Sequence, residues 1–319
     1  MFRDCGTATI GFDIGGTNLR GAVVDACGTI LDLEQVPTPS STVALERGIQ
    51  HIVEKLGSRH HIHAVGVAVA AFLDSECTTV RFAPHLPWRD TPVKQRLEEF
   101  LQVPVRVEHD ANAAAWGEYR FGAARKAKTW TLFAMGTGIG GALMINGEIY
   151  RGAYGTAPEF GHLTVVPDGR TCPCGKRGCL ERYCSGTALV ATAREIIASG
   201  AFDDSRLSID YHARPEALTG HVVMQAARRG DTAAVAAVED FAHWLGEGLA
   251  IVADVLDPEL IVIGGGVASE AMLYLDKAQE HYARRIVGAG HRPLARLRTA
   301  ELGSEAGMIG VADLARQLA

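Results

Sequence analysis

Several things are scarce in this chain. No run of roughly 18 apolar residues occurs, so a helical membrane span is not expected. The amino terminus, MFRDCGTATIGFDIGG, places acid and glycine where a secretory leader needs an apolar stretch. Basic charge is in deficit: 31 Lys and Arg stand against 37 Asp and Glu, a net charge of −6. That balance gives no support for nucleic acid or polyphosphate held by bulk attraction. No glycine loop carries the Lys-Ser or Lys-Thr of a Walker sequence, and no low-complexity linker divides the chain. A cytoplasmic protein with neither membrane nor nucleic-acid partner is expected.

What is present is an ample core. Hydrophobic residues make up 47% of 319 residues, more than one domain usually holds, so two α/β domains with a cleft between them are expected. Residues 7–35 read as three short strands joined by glycine turns, and residues 129–151 repeat the plan. Helical and strand patterns follow each meander: TVALERGIQHIVEKLG and HAVGVAVAAF after the first, TALVATAREIIASG and a long helical region from Thr219 to Leu256 after the second. PELIVIGGGVAS is a buried strand entering a glycine turn, and EAGMIGVADLARQLA a closing amphipathic helix. The expected partition is 1–122, 123–300, and a closing helix in 301–319 that returns to the first domain.

Cysteine is sparse, yet three of seven crowd into Cys172, Cys174 and Cys179. In a reducing compartment such a cluster more often binds metal than forms disulfides. With His162 the three thiolates make a closed tetrahedral Zn2+ shell, which leaves no position for a reacting water and is therefore structural. Unligated thiols, or a Cys172 to Cys179 disulfide, remain the alternatives. Cys184 reads as a spare, and Cys5, Cys27 and Cys77 as ordinary small hydrophobes.

Two glycine turns end strands. The first, Asp13 through Gly15, Gly16 and Thr17, offers amides that can approach phosphate, and a carboxylate beside phosphate implies Mg2+ between them. The second offers Gly136, Thr137, Gly138, Gly140 and Gly141. Gly136, Gly138 and Gly141 match a dinucleotide fingerprint formally, but a strand follows where that motif needs a helix. A hairpin is the plain reading of either turn alone; together with Gly264, Gly265 and Gly266 they favour a nucleotide.

These stretches resemble the ROK family (repressors, open reading frames and kinases), from DIGGTN through EHDANAAAWGE, GTGIGG, PEFGH and CPCGKRGCLE to VIGGG. The likeness spans nearly the whole chain and lies nearest the bacterial glucokinases. It implies a two-domain actin-like ATPase (ribonuclease H-like) fold, ATP as donor, and an adenosine-side turn at Gly264 to Gly266. It also implies Asp110 as catalytic base, with Asn112, Glu159, His162 and Glu181 around a hexose, and a homodimer or homotetramer. The chemistry agrees: phosphoryl transfer needs an oriented alcohol, Mg2+, and a proton acceptor, and Asp110 ends the strand PVRVEHD where a helix begins. The other reading of Asp110 is a helix N-cap.

His109 stands where such proteins commonly have a sugar-bonding Asn, His85 replaces another Asn, and Ala68 and Ala71 replace glycines. The phosphate turns are unaffected, but the sugar wall is altered. The expected activity is ATP-dependent phosphorylation of glucose at its 6-hydroxyl, with N-acetylmannosamine, N-acetylglucosamine or another hexose as alternatives. A sugar-responsive transcriptional regulator is disfavoured, because only twelve residues precede Asp13 where a DNA-binding segment would lie.

Overall fold

The computed structural model describes residues 8–318; Cys5 lies outside the described residues. Two compact units form. One comprises the described residues up to Leu132, Ala142–Pro158, and the chain from Ala300 onward; the other comprises Phe133–Gly141 and Glu159–Thr299. The second meander is thus divided between them, a partition that a single cut at Gly122 does not describe.

The first unit opens with β1 (Ala8–Ile14), β2 (Asn18–Val24) and β3 (Ile30–Pro37), followed by α1 (Thr42–Gly57) and β4 (Ile62–Val69). A small antiparallel sheet of β5 (Phe72–Leu73), β6 (Val80–Phe82) and β7 (Arg89–Thr91) precedes α2 (Val93–Leu101), β8 (Val105–His109) and α3 (Asp110–Phe121). The main sheet runs β3-β2-β1-β4-β8, with β2 antiparallel to both of its neighbours, β1 and β3, while β4 runs parallel to β1 and β8 parallel to β4. β4 is almost entirely apolar because both its faces are covered, whereas β3 alternates half-buried with exposed positions. In α1, Ser41 caps the first turn by accepting from the Ala44 N–H, and Leu45, Ile49, Ile52 and Leu56 form the helical stripe that meets the sheet.

The second meander is β9 (Trp130–Met135), β10 (Ile139–Ile145) and β11 (Glu148–Tyr150). Then come α4 (Gly186–Ala198), α5 (Arg206–Ala213), α6 (Gly220–Arg228), α7 (Thr232–Leu256), β12 (Leu260–Gly264), α8 (Leu275–Arg285) and β13 (Arg296–Thr299). The second sheet has the order β11-β10-β9-β12-β13, the same plan as the first. The helical region from Thr219 to Leu256 is two helices: Gly230, at φ +80°, ends α6, and Asp231 caps α7 through the Ala234 N–H.

The closing helix α9 (Ala306–Arg316) packs on β1, β4 and α3 at backbone distance. A Cβ on Gly11 would lie 2.0 Å from the Met308 carbonyl oxygen, and one on Gly66 2.2 Å from that of Val311, so only glycine permits this approach. Among the described residues no helix is long and apolar enough to cross a membrane. Cys77 and Cys184 are buried, but Cys27 sits exposed in the β2–β3 turn rather than in the core. The turn geometry explains this: the Asp25 carboxylate accepts the Cys27 and Thr29 N–H groups, which turns residue 27 outward.

Candidate active site and metal knuckle

In the first unit, β1 and β8 flank β4 and run parallel to it, so Asp13, near the end of β1, and Asp110, just after β8, lie at the same end of the sheet. The β1–β2 turn closes with the Gly15 N–H donating to the Asn18 carbonyl at 3.1 Å, and Thr38 braces it by donating its hydroxyl to the Gly15 carbonyl at 2.6 Å. Gly16 and Thr17 are exposed at its tip, and a Cβ on Gly16 would meet His85 at 3.2 Å. Burial, and then the charge of Asp110, push the Asp13 carboxyl above its usual range, with Arg20 opposing from 3.9 Å.

Asp110 is the first residue of α3, and His109 occupies the capping position, so Asp110 is not the N-cap. Its Oδ1 accepts the Ala111 N–H at 2.7 Å, and half of its side chain faces solvent, a favourable site for a carboxylate at a helix start. His109 Nδ1 lies 3.3 Å from Asp110 Oδ1, so the ring turns toward the carboxylate rather than away from it. Asn112 is buried; its Nδ2 donates to Glu108 Oε1 at 3.1 Å and its Oδ1 has no partner. Ala68 and Ala71 are buried in and just after β4.

The second unit gathers the cysteines. Two short bridges, Thr164 with Cys179 and Thr171 with Arg177, fold residues 164–179 into a knuckle, and Lys176 Nζ donates to the His162 carbonyl at 2.6 Å. The ligand atoms of His162, Cys172, Cys174 and Cys179 all lie within 4.8 Å of one another. Cys174 and Cys179 sulfurs are 3.7 Å apart, as are Cys172 Sγ and His162 Nδ1. A tetrahedron with bonds of about 2.3 Å has edges of about 3.8 Å, so this set already has the dimensions of one metal shell. All four donors fit a Zn2+ site, and Cys172 and Cys179 are free thiols, not a disulfide. Burial raises the thiols of Cys172 and Cys179; at Cys174 burial is outweighed by the Lys176 N–H and the neighbouring thiols, and its thiol lies below the ordinary value.

Glu181 follows the knuckle. Its Oε1 accepts the Cys172 thiol at 3.2 Å, and its Oε2 occupies the space where a Cβ on Gly138 would be, 2.6 Å away. Knuckle, Glu181 and second glycine turn are therefore contiguous. Glu159 caps the short turn Phe160–His162, its carbonyl accepting the His162 N–H at 3.0 Å. Arg170 ties the knuckle to α4, donating to the Arg182 carbonyl at 2.7 Å and to Thr192 Oγ1 at 3.0 Å while stacking on Tyr183.

Beside the second glycine turn lies a cavity of about 830 Å3, lined by Gly136, Thr137, Gly266, Arg182, Arg194 and Glu270 among others, all in the second unit. Gly140, Gly264 and Gly265 do not line it. Gly140 lies within β10 and Gly264 ends β12; Gly265, at φ +79°, is a packing glycine whose Cβ would fall 2.4 Å from the Met135 carbonyl oxygen. Sequence reasoning missed Arg182 and Arg194. The available signal was two basic residues flanking a capped helix start, Ser185 to Ala188, in an acidic chain. It also passed over Glu108, the one acid of β8 and a fully buried one.

The ROK family description matches residues 9–318. A glucokinase of Streptomyces coelicolor is 41% identical over 309 residues, covering 97% of this chain and 98% of the relative. The solved structure of a ROK family glucokinase from Streptomyces griseus, in complex with glucose and AMPPNP, superposes with a TM-score of 0.85 at 42% identity, over 97% of this chain and 99% of that one. A ROK family transcriptional regulator superposes with a TM-score of 0.87 at 22% identity, over 98% of this chain and 78% of that one. Fold likeness alone therefore does not separate catalytic from regulatory relatives.

Proposed function

The chain belongs to the ROK family, with the actin-like ATPase fold of its sugar kinases, and we propose that it transfers the γ-phosphoryl group of ATP to the 6-hydroxyl of glucose. The observation that carries this reading is the Asp110 carboxylate, half-exposed at the end of a parallel strand, in a chain alike over nearly its full length to a glucokinase that binds glucose and AMPPNP.

Asp110 accepts the hydroxyl proton as the oxygen attacks phosphorus, its half-exposed carboxylate standing open to a substrate. Glu159, His162 and Glu181 hydrogen-bond sugar hydroxyls, and Asn112 supplies a further polar atom. The first glycine turn and the Gly136 to Gly138 turn hold phosphates, while the 830 Å3 cavity takes the rest of the nucleotide, its size being ordinary for such a ligand.

Asp13 fits Mg2+ because its carboxyl is held up by burial and by Asp110, both of which a divalent cation offsets. Held there, Mg2+ would neutralise the phosphates' charge. His162, Cys172, Cys174 and Cys179 would hold Zn2+ in a structural role. With His162 Nδ1 turned to the thiols, its other ring nitrogen is available to a sugar hydroxyl. Thiols held reduced by metal suit a cytoplasmic setting.

A coupled assay with ATP and a panel of glucose, mannose, N-acetylmannosamine and N-acetylglucosamine tests the reading, run beside Asp110→Asn. We expect the highest kcat/KM with glucose, and a fall in kcat of at least ~100-fold in the variant. No turnover with any hexose would overturn the assignment, and near-normal turnover in the variant would move the base elsewhere.

A further inference from the structure

Glu108 is a fully buried carboxylate one residue before His109 and two before Asp110. Arg151 grips it as a fork: Nη2 donates to Oε2, and Nε donates to Oε1 at 3.3 Å. Arg106 Nη2 reaches Oε2 at 3.3 Å, while the His109 N–H and Asn112 Nδ2 both reach Oε1 at 3.1 Å. The buried Cys77 thiol stands 3.8 Å from Oε1, and its own ionisation is pushed up to about 12 by burial and then by Glu108. Burial opposes the charge on Glu108, yet Arg151 outweighs it, followed by Arg106 and Asn112, and the carboxyl lies below its usual range.

Two consequences follow for the reacting groups. An ionised carboxylate is an acceptor only, so Asn112 must present its NH2 to Glu108. That orientation leaves Asn112 Oδ1 as a buried acceptor with no partner, an arrangement whose cost a hydroxyl donor would relieve. Arg151 also anchors its own loop. Its carbonyl accepts the Ala157 N–H at 3.1 Å, and Gly155 rests on Asp74, where a Cβ would lie 2.7 Å from the carbonyl oxygen. One ion pair thus joins the Asp110 junction to residues 151–157, shortly before Glu159.

We infer that Glu108 and Arg151 are a positioning pair for the reaction, fixing the β8–α3 junction and turning Asn112 Oδ1 toward a sugar hydroxyl. This rests on the hexose-kinase reading, and the test separates the two. If the unaltered protein phosphorylates no hexose, that reading fails first; the pair is tested only against measured wild-type turnover.

The variants are Glu108→Gln, the double variant Glu108→Gln with Arg151→Met, and Arg151→Lys, which keeps the charge and loses the fork. Glu108→Gln should raise KM for glucose and lower kcat by about tenfold each, with KM for MgATP changed less than about twofold, because the nucleotide cavity is lined by the other unit. In the double variant the deeper guanidinium leaves with its counter-charge and only the part-exposed Arg106 lacks its partner, so Tm should return toward the wild-type value while the glucose defect persists. Should Glu108→Gln fail to fold, Arg151→Lys should still show the rise in KM for glucose. Recovery of both Tm and glucose kinetics in the double variant would make the pair purely structural and overturn the inference. An equal rise in KM for glucose and MgATP would do the same.

Discussion

The Asp110 junction and the cysteine knuckle hold polar groups in place by opposite means. At the junction a buried carboxylate meets a guanidinium from the same unit, and every oxygen of Glu108 has a donor. The charge balance is internal, so the geometry needs nothing from outside the chain. At the knuckle three thiols and an imidazole converge within 4.8 Å with no arginine among them. Three thiols at that spacing could ionise together only with a cation between them, so on the proposed reading this region depends on an ion. On that reading the first site can be built on a strand and helix and the second on irregular chain, because a bound metal would hold a shape that regular backbone does not supply.

The strongest way to sharpen the contrast is to remove the ion. Cys174→Ser, or chelation of the purified protein, should abolish zinc binding, lower Tm by several degrees and reduce hexose phosphorylation by at least ~100-fold, because Glu181 and His162 lose their support together. Metal analysis on the assayed sample provides the check. Fully active protein free of zinc would show that the knuckle, like the junction, is self-sufficient.

The junction breaks differently, through charge and acid. Glu108 is held below its ordinary value, so its contribution to stability is complete above the unfolded carboxyl value of about 4.3 and is lost as pH falls through the still lower folded value. Glu108→Gln leaves the partly buried Arg151 and Arg106 without their counter-charge and should cost ~3 kcal/mol at neutral pH. The deficit should shrink below about pH 4, as the wild-type carboxylate becomes protonated. Urea unfolding of both proteins at neutral pH and at steps into acid measures it. A deficit independent of pH would mean that shape, not charge, holds the junction.

The two regions were also unequally legible in the sequence. The knuckle is local: its three cysteines fall within eight residues and His162 is close by, so ligand chemistry and spacing sufficed to nominate it. The meanders and glycine turns were readable for the same reason, since strand, turn and strand are neighbours in the chain. The Glu108 and Arg151 pair is separated by 43 positions, and nothing in PVRVEHD or NGEIYRG says that one buries the other. Only the tertiary register brings them together. The division of 129–151 between units was hidden in the same way, because residues on both sides read as one hairpin plan. Gly265 was legible only as part of a turn; that its missing Cβ also lets the backbone pass Met135 is a tertiary fact.

His109 joins the Glu108 cluster through its backbone N–H and the Asp110 carboxylate through its ring. An imidazole offers one polar atom per edge, and here Nδ1 is directed at Asp110 Oδ1, 3.3 Å away. If Asp110 is the proposed base, that contact competes with the proton it would accept and leaves less hydrogen-bonding capacity for sugar. An asparagine at 109 presents a donor and an acceptor on one shorter side chain, so it can bond a hydroxyl without occupying the carboxylate. His109→Asn should therefore raise kcat/KM for glucose by roughly threefold to tenfold, and should widen the preference for glucose over N-acetylmannosamine, because a well-matched polar contact discriminates more sharply than a loose one. The measurement is the ratio of the two kcat/KM values in wild type and variant. If the ratio does not move, the ring serves only the junction, and the specificity of the sugar wall resides elsewhere.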